Sequence, residues 1–339
     1  MEEPTKCRGR GSDKVLTVVM YHYVRPIASS RYPGIKGLER SLFAEQVAYI
    51  MRHYHPVAAS DVISSVRTGK QLPNNAVLLT FDDGLLDHFT EVFPVLERQG
   101  IPGCFFPPAK CVLEREILDV HRIHFILAAA SDAAGVATEL DFLIRDARDT
   151  FTLDHPGEYR QRFAVESRMD PAHVVYVKRM LQVGLPAAAR EAFCQKLFEK
   201  YVSVNPCGFA EELYMNEAQV RCMAAHNMTI GSHGYDHVWM DSLDRLQQTV
   251  EIDRSLEFLN RVGVPTNDWV MCYPYGVWNP PLLEILEKKG CALGFTTEVA
   301  LAQPGVENRY TLPRLDTNDL PKSASAEPSP WTRAVLGVS

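Results

Sequence analysis

The sequence predicts an α/β protein in which parallel strands are covered by helices. Two observations carry this. Short apolar runs alternate with helical patterns in both the first third and the last third of the chain, and each run is closed by turn-forming residues. A third observation locates function: the residues that could carry chemistry fall at the C-terminal ends of those runs, where parallel-sheet enzymes place their sites.

The elements are justified in order. Val15 to Tyr21 is a β-rich run that ends in Tyr21-His22-Tyr23. Ser41 caps a helix through about Tyr54, and a second helix runs from Ser60 to a stop at Gly69. Ala76 to Phe81 is too short for a helix and reads as a buried strand. A helical segment broken or restarted at Pro94 ends at Gly100, and Cys104 to Phe106 is the next strand. From Lys110 to Leu213 the rhythm changes to helical patterns alone, which predicts a helical insertion. Alternation then resumes: a helix capped by Asn216, a strand Met228 to Ile230, and a helix capped by Ser242. A strand Trp269 to Tyr273 and a helix started by Asn279 and Pro280 follow. The last strands are Cys291 to Thr296 and Tyr310 to Asp316. Residues 1–14 read as a flexible leader. The Ser-, Pro- and Ala-rich segment 321–339 reads as a flexible tail.

Composition narrows the function classes. The 339 residues are 46% hydrophobic, enough to fill a sizeable core, and carry a net charge of -7 with no basic tract, so no nucleic-acid partner is expected. No apolar stretch reaches membrane-spanning length and residues 1–14 lack the apolar region of an export signal, which predicts a cytoplasmic protein. The eight cysteines are scattered without a C-x-x-C pair and read as reduced, buried thiols.

Asp82 and Asp83 sit side by side at the end of the strand that begins at Ala76, with Gly84 next. Like charges this close resist ionising together, and a divalent cation removes that cost. Asp83 then binds the cation while Asp82 stays free to take a proton. A solvated Asp-Asp-Gly turn is the plain alternative. His233 and His237 follow the strand at Met228 to Ile230. One carboxylate with two imidazoles makes a three-ligand set that leaves a cation open to water and substrate. The glutamate of an H-E-x-x-H helix is absent, so that motif is excluded. His53 with His55 and His121 with His124 read as surface or structural histidines.

Thr80-Phe81-Asp82-Asp83-Gly84, His233-x3-His237 and Tyr273-Pro274-Tyr275-Gly276 together resemble the polysaccharide deacetylase family. This is also called the NodB-homology group or carbohydrate esterase family four. The resemblance covers roughly residues 15–108 and 212–316. It implies a distorted (β/α) barrel with fewer than eight strands over residues 15–320, interrupted by the helical insertion 110–213. It further implies a metal-dependent hydrolase that removes N-acetyl groups from sugars, with an acetylated amino sugar as substrate and zinc as the first choice of cation. Carried over, it makes Asp83, His233 and His237 the metal ligands, Asp82 the general base, and the backbone N–H of Tyr275 an oxyanion donor.

The chain departs from the family pattern at three places. Gly234 stands where Ser or Thr is usual. Cys272 stands where an arginine usually orients the base. Arg314 is the candidate substitute, with a surface ion-pair partner as its other reading. No histidine follows His237, so the usual late acid is missing. Some exopolysaccharide members look circularly shifted, with this histidine moved to an N-terminal Tyr-His element. The resemblance therefore makes His22 the general acid, against the alternative of a histidine packed at a strand end. Rival functions are a deformylase or other C–N amide hydrolase of the same fold, and a non-catalytic glycan-binding relative.

Overall fold

The computed structural model describes residues 15–167 and 170–338, so the expected leader lies outside the described residues. The chain divides into two compact units. The first comprises the described residues up to Arg25, with Leu38–Arg115 and Leu213 onward; the second comprises Pro26–Gly37 and Glu116–Glu212.

The first unit is a ring of parallel strands: β1 (Leu16–Tyr21), β2 (Ala76–Asp82), β3 (Gly103–Phe106), β4 (Thr229–Ile230), β5 (Val270–Cys272), β6 (Leu293–Phe295) and β7 (Leu315–Asp316). Ladders join β7 to β1, β1 to β2, β2 to β3 and β3 to β4, and a separate ladder joins β5 to β6. Two isolated parallel bridges, Ser232 to Met271 and Phe295 to Leu312, connect these pieces. The result is the distorted barrel with fewer than eight strands that the motifs implied. Its closing seam pairs Val19 with Leu315 and Met20 with Asp316.

Every residue of β2 is buried, which explains its unbroken apolar run: both faces are covered. Alternate side chains point to opposite faces. Ala76 and Leu78 join an interior cluster with Leu16, Val18, Cys104, Phe106, Val270, Leu293 and Phe295. Thr80 and Asp82 continue that same face, so the interior turns from apolar to polar along one strand. On the other face Phe81 stacks between Tyr21 and Phe105, with ring centroids 4.9 and 4.7 Å away. The entry end of the barrel is closed by Val57, Ala59, Val62 and Leu72, which belong to the interior cluster. Ala59 and Val62 lie on the helix Ala59–Thr68, stopped by left-handed Gly69.

Several elements differ from expectation. The first helix is Arg40–His53 with Glu39, not Ser41, at its N-cap, and the second is Ala59–Thr68 with Ala58 at its N-cap, so it starts before Ser60. The long helix spans Arg245–Arg261 and is capped by Asp244, whose side chain accepts from the Gln247 N–H; Ser242 instead lies in the short turn before it. The last strand shortens to Leu315–Asp316, with Leu312 making only a bridge. The tail is not loose over its described part: Ser329 caps a helix Pro330–Leu336, and its buried Thr332 hydroxyl takes hydrogen bonds from Tyr49 and Tyr54, both 2.8 Å. Two phenol donors outweigh the polar composition that suggested disorder.

The second unit is helical, with Asp119–Ala129, Ala133–Asp146, Pro156–Phe163, Ala172–Arg179, Ala187–Tyr201 and Pro206–Leu213 as its main helices. An aromatic cluster of Tyr32, Phe125, Phe198 and Phe209 packs edge to face within it. Residues 26–37, outside the expected insertion, are part of this unit.

Candidate active site

The exit end of β2 delivers both acids. Asp82 is its last residue; Asp83 follows with φ 77°, and its backbone N–H bonds the Phe106 carbonyl at the end of β3 (3.1 Å). Gly84 is required by the turn. Its φ is +64°, and a Cβ would come within 2.8 Å of the Pro107 side chain and 2.9 Å of its Cα. Three non-glycine residues of this end have positive φ: Asp83, His237 (54°) and Tyr275 (58°). Strain of about 1–3 kcal/mol each persists only where the surroundings impose it.

His233 and His237 leave the loop after β4 and converge on Asp83. Each Nε2 lies 3.4 Å from Asp83 Oδ1, and the three ligand atoms lie within 4.8 Å of one another. The two separations of 3.4 Å are close to the edge of a tetrahedron with metal–ligand bonds of about 2.1 Å. His233 Nδ1 is 2.7 Å from the Cys272 carbonyl, so the ring donates there and leaves Nε2 bare for a cation. Donor chemistry and spacing thus fit a divalent metal. Among the described residues one other cluster has metal-ligating side chains, Asp82, His233 and Cys272, and it shares His233 with the first.

Asp82 is gripped from the opposite side. Arg314 reaches it with both terminal nitrogens, 2.9 Å to Oδ1 and 2.7 Å to Oδ2, while also donating to the Thr296 carbonyl (2.8 Å) and the Thr80 hydroxyl (3.1 Å). Arg314 is buried, so its alternative reading as a surface ion-pair partner is overturned. Burial pushes the Asp82 carboxyl up, but the Arg314 guanidinium, with His233 and His22, overcomes this and holds it at about 2. Cys272, at the place of the expected arginine, puts its Sγ 3.4 Å from Asp82 Oδ2.

His22 follows β1, with Nε2 3.9 Å from Asp82 Oδ2 and a side chain 40% exposed. It therefore lies between the buried acid and solvent. Tyr275, in the turn after β5, stacks on Trp239 (4.3 Å, 7°) and packs edge-on against His237 (4.9 Å). The structure thus gathers Asp82, Asp83, His22, His233, His237 and Arg314, with Tyr275 against His237.

Sequence reasoning passed over two residues that support this set. Buried His88 hydrogen-bonds the His22 carbonyl through Nε2 (2.8 Å), and burial lowers its imidazole to about 4, so the neutral ring donates. Glu251 accepts from the backbone N–H groups of Tyr235 and Asp236, between His233 and His237. Both act through main-chain groups, for which side-chain motifs carry no signal.

Comparison with known proteins follows this geometry. Residues 196–294 match the family Polysaccharide deacetylase. The poly-β-1,6-N-acetyl-D-glucosamine N-deacetylase of Escherichia coli K12 is 23% identical over 84% of this chain and 34% of its own length. The chain spans about a third of the length of the curated relatives it matches. Among solved structures, the Streptococcus pyogenes deacetylase PplD in complex with acetate matches with a TM-score of 0.57 at 14% identity, covering 94% of this chain and 96% of that one. IcaB from Ammonifex degensii matches with a TM-score of 0.55 at 20% identity, covering 95% and 96%. The resemblance to the polysaccharide deacetylase family, exopolysaccharide type included, is borne out, and its fold with it.

Proposed function

We infer that this chain, as a polysaccharide deacetylase by family, hydrolyses the N-acetyl group of an amino sugar in a glycan or glycan precursor and releases acetate. The observation that supports this most is the convergence of three metal-type donors beside a carboxylate locked by arginine. Asp83, His233 and His237 would hold a divalent cation, zinc in the first instance, which when bound would polarise the acetyl carbonyl and acidify the attacking water. Asp82 accepts the proton that water gives up as the new C–O bond forms. Arg314 keeps that carboxylate ionised and fixed in direction. With its pKa held near 2 Asp82 is a weak base, so its contribution depends on placement and on an acidified water. The Tyr275 backbone N–H donates to the oxyanion of the tetrahedral intermediate. His22 protonates the departing nitrogen as the C–N bond breaks, leaving acetate and a free amine. Its half-exposed ring suits a group that must meet a leaving sugar.

Substrate enters by analogy. A relative acts on poly-β-1,6-N-acetyl-D-glucosamine, so β-linked oligomers of N-acetylglucosamine are the first compounds to try. The test is metal analysis of the purified protein coupled to acetate release on such oligomers, with formylated analogues as controls. Bound zinc with acetate release is expected. Formate release alone would shift the reading to a deformylase, and bound metal without hydrolysis would indicate a glycan-binding relative. His22→Asn should lower kcat about 100-fold with metal content intact. Equal loss of metal would give His22 a structural role instead.

A further inference from the structure

The helix Arg245–Arg261 turns an unusual face inward. Gln248, Glu251 and Ser255, spaced i, i+3 and i+7, are buried where an amphipathic helix normally places apolar side chains. Each is answered from the segment that carries the ligand histidines. Gln248 Nε2 donates to the Met240 carbonyl (2.8 Å), and the Ser255 hydroxyl lies 2.7 Å from that of Ser232. Glu251 does most. A single oxygen, Oε2, accepts from the successive backbone N–H groups of Tyr235 (2.8 Å) and Asp236 (3.1 Å), which lie between His233 and His237. The loop curls round that oxygen so closely that a Cβ on Gly234, whose φ is +73°, would sit 3.3 Å from it. Glycine at 234, the departure from the family pattern noted above, supplies the positive φ of the arc and keeps a side chain off that oxygen. His237 holds its own positive φ at the far end of the same arc.

We propose that Glu251 is a positioning residue for the cation site, shaping the 233–237 arc so that both imidazoles already face Asp83 before a cation arrives. The proposal rests on the reading of Asp83, His233 and His237 as ligands. It assigns Glu251 no contact with substrate or cation. A carboxylate accepting two N–H groups makes charge-assisted bonds, and losing them leaves a buried donor and a part-buried one without that partner.

The experiment is calorimetric titration of the metal-stripped full chain with zinc ions, alongside thermal melting of the metal-free protein. Glu251→Ala is expected to weaken zinc binding about 10- to 100-fold, the usual cost of losing a group that orients a ligand. Glu251→Gln, whose amide oxygen can accept from the same two N–H groups, should recover most of it. A purely structural role would lower the melting midpoint and leave zinc affinity as in wild type, which overturns the proposal. If Glu251→Ala does not fold, Glu251→Asp replaces it, because it keeps the charge but falls short of the two N–H groups; unchanged affinity there overturns the proposal equally. Failure of the wild type to bind zinc overturns the ligand reading and this inference together, whereas wild-type binding with unaltered variants overturns this inference alone.

Discussion

The two ends of the barrel make the same backbone demand and meet it differently. β2, β4 and β5 are each entered through a non-glycine residue of positive φ: Asn75 (54°), Asn227 (63°) and Asp268 (65°). They are left through another: Asp83 (77°), His237 (54°) and Tyr275 (58°). At the entry end every such place is taken by Asn or Asp, the types that tolerate this conformation best after glycine. At the exit end Asp83 is again such a type, but Tyr275 is a bulky residue whose side chain gives no local relief. Charge follows the same division. The exit end buries Asp82, Asp83, His233, His237 and Arg314, whereas the entry end is closed by Val57, Ala59, Val62 and Leu72. Its ion pair, Arg67 with Asp268, is partly exposed on both sides. One end is built for stability and the other is held in place against its own preferences.

The contrast breaks if substitutions at the two ends cost alike. The largest effect expected is that of Asp82→Asn, which should cut turnover about 10²- to 10⁴-fold with zinc content unchanged, read by acetate release and metal analysis. Next comes Arg314→Ala, which leaves a buried carboxylate without its partner. We expect about 3–5 kcal/mol of lost stability in urea unfolding, together with a fall in kcat. Smaller and directional is the response to pH. Asp82 is held at about 2 in the folded protein, below its unfolded value of about 3.9, so the stability it contributes is complete above pH 4 and is lost as pH falls towards 2. Asp87, only a short way along the chain, behaves oppositely. Burial raises it to about 6 despite Arg25 at 3.1 Å, so the folded state takes up its proton first and stability falls as pH rises from about 4 through 6. Urea midpoints across pH 2 to 7 for Asp82→Asn and Asp87→Asn should each flatten their own window. The smallest effect belongs to the entry end: Arg67→Ala should change stability by at most about 1 kcal/mol and leave turnover alone.

How much of this was legible in the sequence depended on how each residue acts. Asp82, Asp83, His233 and His237 were readable because adjacent or near-adjacent side chains converge after short strands, and periodicity locates the strands. Arg314 was readable only as the cation left over where an arginine was missing, since nothing local ties it to an acid more than two hundred positions earlier. Its burial and two-point grip come from barrel closure. Glu251 and His88 were illegible because they hold backbone groups. The tail helix was missed because a serine- and proline-rich composition looks unstructured unless Thr332 is known to meet two tyrosines.

The seam between β1 and β7 has a consequence for biosynthesis. His22 follows the first barrel strand made and Arg314 immediately precedes the last, so the two flank the same carboxylate, Asp82, only when the ring shuts. While the chain is still being extended on a ribosome, Asp82 lacks the guanidinium that grips it in the closed ring. A nascent or prematurely terminated polypeptide that stops before Arg314 therefore leaves the Asp82 carboxylate without its bidentate partner.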